Sequence, residues 1–287
     1  MQISQMSFVE WLNIGLMALG VVIMLAVASI VTARRRWRAA FSFGPRRSGE
    51  LDLLYLTFAI VLFLVLMIGM KGLGSVLAPP GKMSQEHWIG TPSMPGLWPI
   101  LANNISKLVI VGAVCVMAAI ALDGGLTSFG WRRDRIVRDL VWAVLGYLVI
   151  WPVCEGLAYL AVLLRGPPPS HGVLNLVHTG NVPLWGTVLL WVSAVLISPV
   201  AEEVFFRGML QTVLRRYVDL PWAAIALAAI AFGAMHTAQP QYVVPLTVLG
   251  LALGYVYERT GSLVAPVIIH VLFNSRTMIM DLLLRLA

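Results

Sequence analysis

Six side chains that can hold a proton, move one or polarise a carbonyl lie inside three of the most apolar stretches of the chain. Glu202, Glu203 and Arg207 occupy one, His236 the next, and His270 with Asn274 the last. A charged group at the centre of a bilayer costs about 2.5–3.5 kcal/mol on insertion scales, so such residues kept in apolar segments point to a reaction site at membrane depth. Glu203 and Arg207 stand four apart, as do His270 and Asn274, and on a helix each pair shares a face. A reaction site of this make-up offers a base and hydrogen-bond donors for developing charge. A carboxylate desolvated at that depth is a stronger base than one in water, which nominates Glu202, with His236 sharing or relaying the proton. Asn274 carries amide N–H donors and a neutral His270 one ring N–H. Glu203 reads as the supporting partner of the Arg207 charge. The plainer alternatives are a solvated acidic pair, a satisfied interhelical histidine and an asparagine that glues helices. The apolar flanks, Leu196 to Ala201 and Val204 to Phe206, and the company these residues keep favour function.

The elements that must position them follow from composition. Hydrophobic residues make up 59% of the 287 residues and charged ones 11%. That balance describes an all-α, polytopic membrane bundle rather than a soluble domain. Windows of about 20 residues, enough to cross roughly 30 Å of hydrocarbon, give eight spans. They cover 11–32, 51–70, 98–122, 139–164, 184–214, 222–238, 242–258 and 262–284. Residues 1–287 read as one membrane domain. The net charge of +7 gathers beside the spans, at Arg34, Arg35, Arg36, Arg38, Arg46 and Arg47, at Arg132, Arg133, Arg135 and Arg138, and at Arg215 and Arg216. This is positive-inside topology with contacts to lipid headgroups; it needs no nucleic acid and puts both termini outside. The first apolar run lacks a basic leader and precedes the arginine cluster, so a retained span is expected rather than a cleaved signal. Cys115 and Cys154 have no metal-ligand or disulfide spacing and read as packing. Ser198-Pro199 predicts a kink or break in the fifth span that frees backbone groups beside the glutamates. Glu155 is expected to line the cavity or pair with Arg165, Asp281 to be interfacial, and His87, His171 and His178 to lie at the surface.

Glu202-Glu203-Val204-Phe205-Phe206-Arg207 fits EExxxR, Phe232-Gly233-Ala234-Met235-His236 fits FxxxH, and His270-Val271-Leu272-Phe273-Asn274 fits HxxxN. In this order and spacing they resemble the CPBP family, the CAAX proteases and bacteriocin-processing enzymes, over a catalytic core of 139–284. The resemblance implies an eight-helix bundle with a polar cavity open to cytosol and membrane. It also implies an intramembrane endopeptidase that uses glutamate-activated water without an obligatory metal, with His270 and Asn274 polarising the scissile carbonyl. The substrate would be a peptide or protein, lipidated or not, of the CAAX, leader or signal-peptide kind. Two readings stand beside it. Glu202, His236 and His270 could supply three ligands of an open zinc site, although no His-Glu-x-x-His helix is present. A non-enzymatic immunity or regulatory protein is the other. The 17 arginines against 3 lysines suggest a GC-rich bacterial genome, hence a bacterial cytoplasmic membrane with the site open to the cytoplasmic side.

Overall fold

Hydrocarbon offers the backbone no water to bond, so an apolar chain must satisfy its N–H and C=O groups within helices. The computed structural model, which describes residues 8–34, 40–43, 47, 49–77, 94–167 and 184–286, is helical throughout and has no strand among those residues. The helices are α1 (Phe8–Ala33), α2 (Leu53–Leu77), α3 (Met94–Ala121), a one-turn α4 (Gly125–Phe129) and α5 (Ile136–Arg165). They continue with α6 (Leu184–Tyr217), α7 (Pro221–Ala234), α8 (Pro240–Thr260) and α9 (Val264–Leu286). The eight longer ones follow the expected spans. Six are long and apolar enough to cross a membrane, namely α1, α2, α3, α5, α6 and α8. α7, with 14 residues, is about 21 Å long and falls short of the roughly 30 Å of hydrocarbon. Leu54, Ile120 and Leu164 turn outward on these helices, as lipid-facing side chains do.

Of the kink or break expected at Pro199, α6 shows no break. The chain stays helical through it and widens instead into a π turn over Ser193–Ile197, where the Ser198 N–H bonds the Ser193 carbonyl five residues back. A second π stretch covers Val204–Gln211, and the Thr212 hydroxyl donates back to the Arg207 carbonyl at 3.2 Å. π turns reset the direction in which following side chains point, and here they flank both glutamates.

α7 and α8 form a tight antiparallel pair through small residues. A Cβ on Gly250 would lie 3.0 Å from Ala229, and one on Gly233 would lie 2.8 Å from the Val243 carbonyl oxygen. The apolar core has two parts. One joins α2 and α3 to Val204, Met209 and Val213 of α6. The other joins α5, α8 and α9 around Ala143, Leu253 and Ile269.

The arginine-bearing connections meet at one end of the bundle. Arg47 Nε donates to the Ser128 carbonyl, Arg216 to Gly49, Arg259 to Ser42 and Arg138 to Thr260, at 2.7–2.9 Å. α1 leads into this end and α9 leads away from it, so Phe8 and Leu286 lie at the other. α1, α5 and α9 are tied by Arg276, which donates to Glu155 at 3.0 Å and to Asn13 at 2.6 Å. Glu155 therefore pairs with Arg276, not Arg165, whose Nη1 lies instead 3.5 Å from the Pro240 carbonyl. Both cysteines are free, and the Cys154 thiol packs against the Pro245 carbonyl at 3.3 Å. His87, His171, His178, Arg35, Arg36, Arg38, Arg46 and the side chain of Asp281 lie outside the described residues.

Candidate functional site

Adjacent residues on a helix point about 100° apart, so Glu202 and Glu203 cannot share an environment. Glu203 is fully buried. Its Oε1 accepts from Arg207 Nη1 at 2.9 Å, one turn on, and from His270 Nδ1 on α9 at 2.8 Å. Arg207, also buried, extends Nη2 to the Gly250 carbonyl on α8 at 3.2 Å and lies 4.7 Å over the ring of Phe232. One turn further along α6, Gln211 repeats the contact with the Gly254 carbonyl at 3.1 Å. Glycine at 250 and 254 bares the α8 backbone to these two donors; a Cβ at 254 would lie 2.6 Å from the Gln211 Oε1.

Glu202 keeps 22% of its side chain exposed and faces α3, where Lys107 Nζ stands 3.7 Å from its Oε1. Lys107 also donates to the Ser198 hydroxyl at 2.6 Å. Glu202 Oε2 lies 3.8 Å from His270 Nε2. That separation is too long for a direct hydrogen bond and suits one bridging water. Both glutamates thus address His270, one at each ring nitrogen, where the 100° rule alone suggested that a single glutamate would face the histidines.

The protonation pattern of His270 follows. An ionised carboxylate only accepts, so Nδ1 carries the proton toward Glu203, and a neutral ring presents a bare Nε2 toward Glu202. The single N–H expected to polarise a carbonyl is already engaged; His270 offers a second donor only as imidazolium. Asn274, one turn on, donates Nδ2 to the Ala194 carbonyl at 2.9 Å. In the five-residue register of that π turn, the N–H reaching Ala194 would belong to residue 199, a proline, which has none. The freed carbonyl anchors Asn274, whose amide retains a second N–H.

His236 lies past the end of α7, in the turn Met235–Gln239, rather than within a span reaching residue 238. It is half-buried. Its Nδ1 meets the Phe232 carbonyl at 2.9 Å, so Nε2 is an acceptor. Phe232 connects the two histidines, its ring centroid 5.1 Å from that of His236 and 5.6 Å from that of His270. No direct hydrogen bond joins His236 to Glu202 among those the described residues make.

Lys107 escaped the sequence reading. It stands alone as a cation inside the apolar stretch Ile100–Ala121, and the rule that singled out the glutamates applies to it equally. Asn104, one turn earlier, accepts from the buried Ser193 hydroxyl at 2.6 Å, so two polar residues of α3 meet the two ends of the π turn before Pro199. Arg276 was missed similarly.

Among the described residues no group of three or more His, Cys, Asp or Glu side chains is placed to hold a metal ion. The trio Glu202, His236 and His270 does not form such a group.

A model of the type II CAAX prenyl endopeptidase Rce1-like family matches residues 184–276, from the start of α6 to the middle of α9. A curated Bacillus subtilis (strain 168) protein named "Putative membrane peptidase YdiL" is 23% identical over 192 residues, 65% of this chain and 72% of the relative. No solved structure matches. With EExxxR on α6, FxxxH at the end of α7 and HxxxN on α9, these likenesses support a multi-pass membrane peptidase of the CAAX-protease-like kind.

Proposed function

We propose that this peptidase is a glutamate-dependent intramembrane endopeptidase that cuts near the terminus of a membrane-associated peptide. The observation that carries the reading is one imidazole, His270, set between two unlike carboxylates. Glu203 is buried and locked at 2.8 Å to Nδ1; Glu202 is partly accessible and stands 3.8 Å from Nε2. A water between Glu202 Oε2 and His270 Nε2 has two acceptors and is aligned for deprotonation. Glu202 takes its proton as the water oxygen bonds to the scissile carbonyl carbon. The second N–H of Asn274 receives the developing oxyanion. Glu202 then returns the proton to the amide nitrogen as the C–N bond breaks, releasing an amine and a carboxylic acid. Lys107 orients Glu202, and His236 supplies a further acceptor at the rim. Glu203 and Arg207 fix the ring and its tautomer, the part an orienting carboxylate plays for a catalytic histidine.

A site sunk among lipid-facing helices suits a substrate already at the membrane, either a CAAX-like tail or a leader or signal peptide. The test is comparative peptide profiling of membranes carrying wild type and Glu202→Gln, with a chelator as a third arm. Peptides that accumulate in Glu202→Gln and disappear in wild type, chelated or not, support the reading. Cleavage by a folded Glu202→Gln variant overturns it, and loss on chelation restored by zinc moves the chemistry to a metal.

A further inference from the structure

At the arginine-rich end of the bundle, well away from the glutamates, Arg47, Arg215, Arg216 and Glu258 converge on a cavity of about 40 Å³ backed by Leu51 and Leu122. These residues come from the connection before α2, the end of α3, the last turn of α6 and the last turn of α8. The cavity is therefore a built tertiary feature rather than the face of one helix.

Hydrogen bonding is unbalanced there. Three guanidinium groups meet one carboxylate among the lining side chains. Arg215 is 6% exposed, yet its Nε is buried with no hydrogen-bond partner. The nearest carboxylate oxygen, Glu258 Oε2, stands 3.7 Å from it, beyond hydrogen-bond reach. Glu258 cannot close that gap freely, because its Oε1 is held by Gln211 Nε2 at 3.1 Å. Arg47 is fixed by its bond to the Ser128 carbonyl and by lying 3.9 Å over the ring of Tyr257. A buried donor without a partner carries a desolvation penalty, larger when charged, so an anion in the cavity would remove it.

We propose that this cavity binds a phosphate group, carried by an anionic phospholipid headgroup or free in solution. A water-sized group needs about 10–15 Å³ of such space, so the cavity takes about three oxygen-sized groups, the number one phosphate presents to a wall. Guanidinium forks match phosphate oxygens in geometry and charge. Basic pockets between helices at the membrane surface hold such groups. The bound group would brace the end of α6 against α8 and the connection before α2, joining the front half to the helix that carries Glu202.

The test uses the full-length protein, delipidated in detergent, with thermal stability read in three arms: phosphatidylglycerol vesicles, phosphatidylcholine vesicles, and inorganic phosphate alone. Arg47→Gln and Arg215→Gln are compared with Arg133→Gln, an exposed arginine outside the cavity. Wild type and Arg133→Gln should be stabilised equally. Each cavity variant should need about tenfold more ligand for the same shift. Stabilisation by phosphate alone identifies the free ion, and stabilisation by phosphatidylglycerol alone identifies the headgroup. Should Arg215→Gln fold poorly, Arg47→Gln, the less buried of the two, carries the test. Equal responses of Arg47→Gln and Arg133→Gln, or no response of wild type in any arm, would overturn the proposal.

Discussion

Replacing Glu203 with Gln separates charge from shape at the most buried point of the site. The glutamine carbonyl can still accept from Arg207 and His270, so the contacts at 2.9 and 2.8 Å survive in outline. What disappears is the negative charge beside an arginine that is 1% exposed. Breaking a buried ion pair by removing one partner costs about 3–5 kcal/mol. The new amide NH2 falls where Glu203 Oε2 now lies buried without a partner, adding an unsatisfied donor. The face of Phe232, 4.7 Å from the Arg207 guanidinium, is present before and after and offsets nothing. Glu202→Gln differs: that side chain is partly exposed, and the Lys107 pair it loses is worth under about 1 kcal/mol. At about 2–4 °C per kcal/mol, thermal unfolding in detergent should fall by roughly 6 °C or more for Glu203→Gln and by under about 4 °C for Glu202→Gln. Adding Arg207→Met to Glu203→Gln removes the orphaned charge and should recover part of the loss. A Glu203→Gln protein that unfolds with wild type, or a double variant weaker than the two singles combined, would refute the buried-pair reasoning.

Lys107→Met should reduce cleavage by up to about fivefold with little change in unfolding temperature, since the interaction removed is worth at most about 1 kcal/mol in the reaction; unchanged kcat/KM would detach α3 from the chemistry. Gly233→Ala forces a Cβ against the Val243 carbonyl and should cost about 1–3 kcal/mol while shifting the turn that holds His236, measured as lost stability together with lost activity. A reporter fused after Ala287 should read the non-cytoplasmic side, because the arginine-bearing connections gather at the opposite end; a cytoplasmic signal would mean an odd number of crossings, with one of the eight longer helices not spanning.

The spans were legible because hydropathy is additive along the chain, and no partner is needed to see that residues 53–77 or 94–121 are apolar. The site was legible in its residue types for a related reason, the expense of polar groups at depth. Which polar groups meet was not, since that depends on helix rotation and on contacts far apart in sequence. Glu155 has Arg165 ten residues away and bonds Arg276 instead, 121 residues away. Lys107 is 95 positions from Glu202, and no local pattern announces that pairing. His236 was placed on a helix because apolar periodicity continues to the motif's end, whereas α7 stops at Ala234 and a turn takes over.

Pro199 shows best how one residue reaches the chemistry. Proline usually reads as an interruption, yet α6 remains helical and the missing N–H is absorbed by a π turn. The carbonyl left without its backbone donor, at Ala194, is the one that Asn274 binds, and that bond sets the register of α9 against α6. His270 lies one turn before Asn274, so the same register brings its Nδ1 to Glu203 and its Nε2 toward Glu202. The neighbouring Ser193 and Ser198 tie the same stretch to Asn104 and Lys107 of α3. Three helices are thus indexed to one another within two turns of a single proline. The 3.8 Å between Glu202 and His270, on which the proposed water bridge rests, depends on that indexing as much as on the two residues themselves.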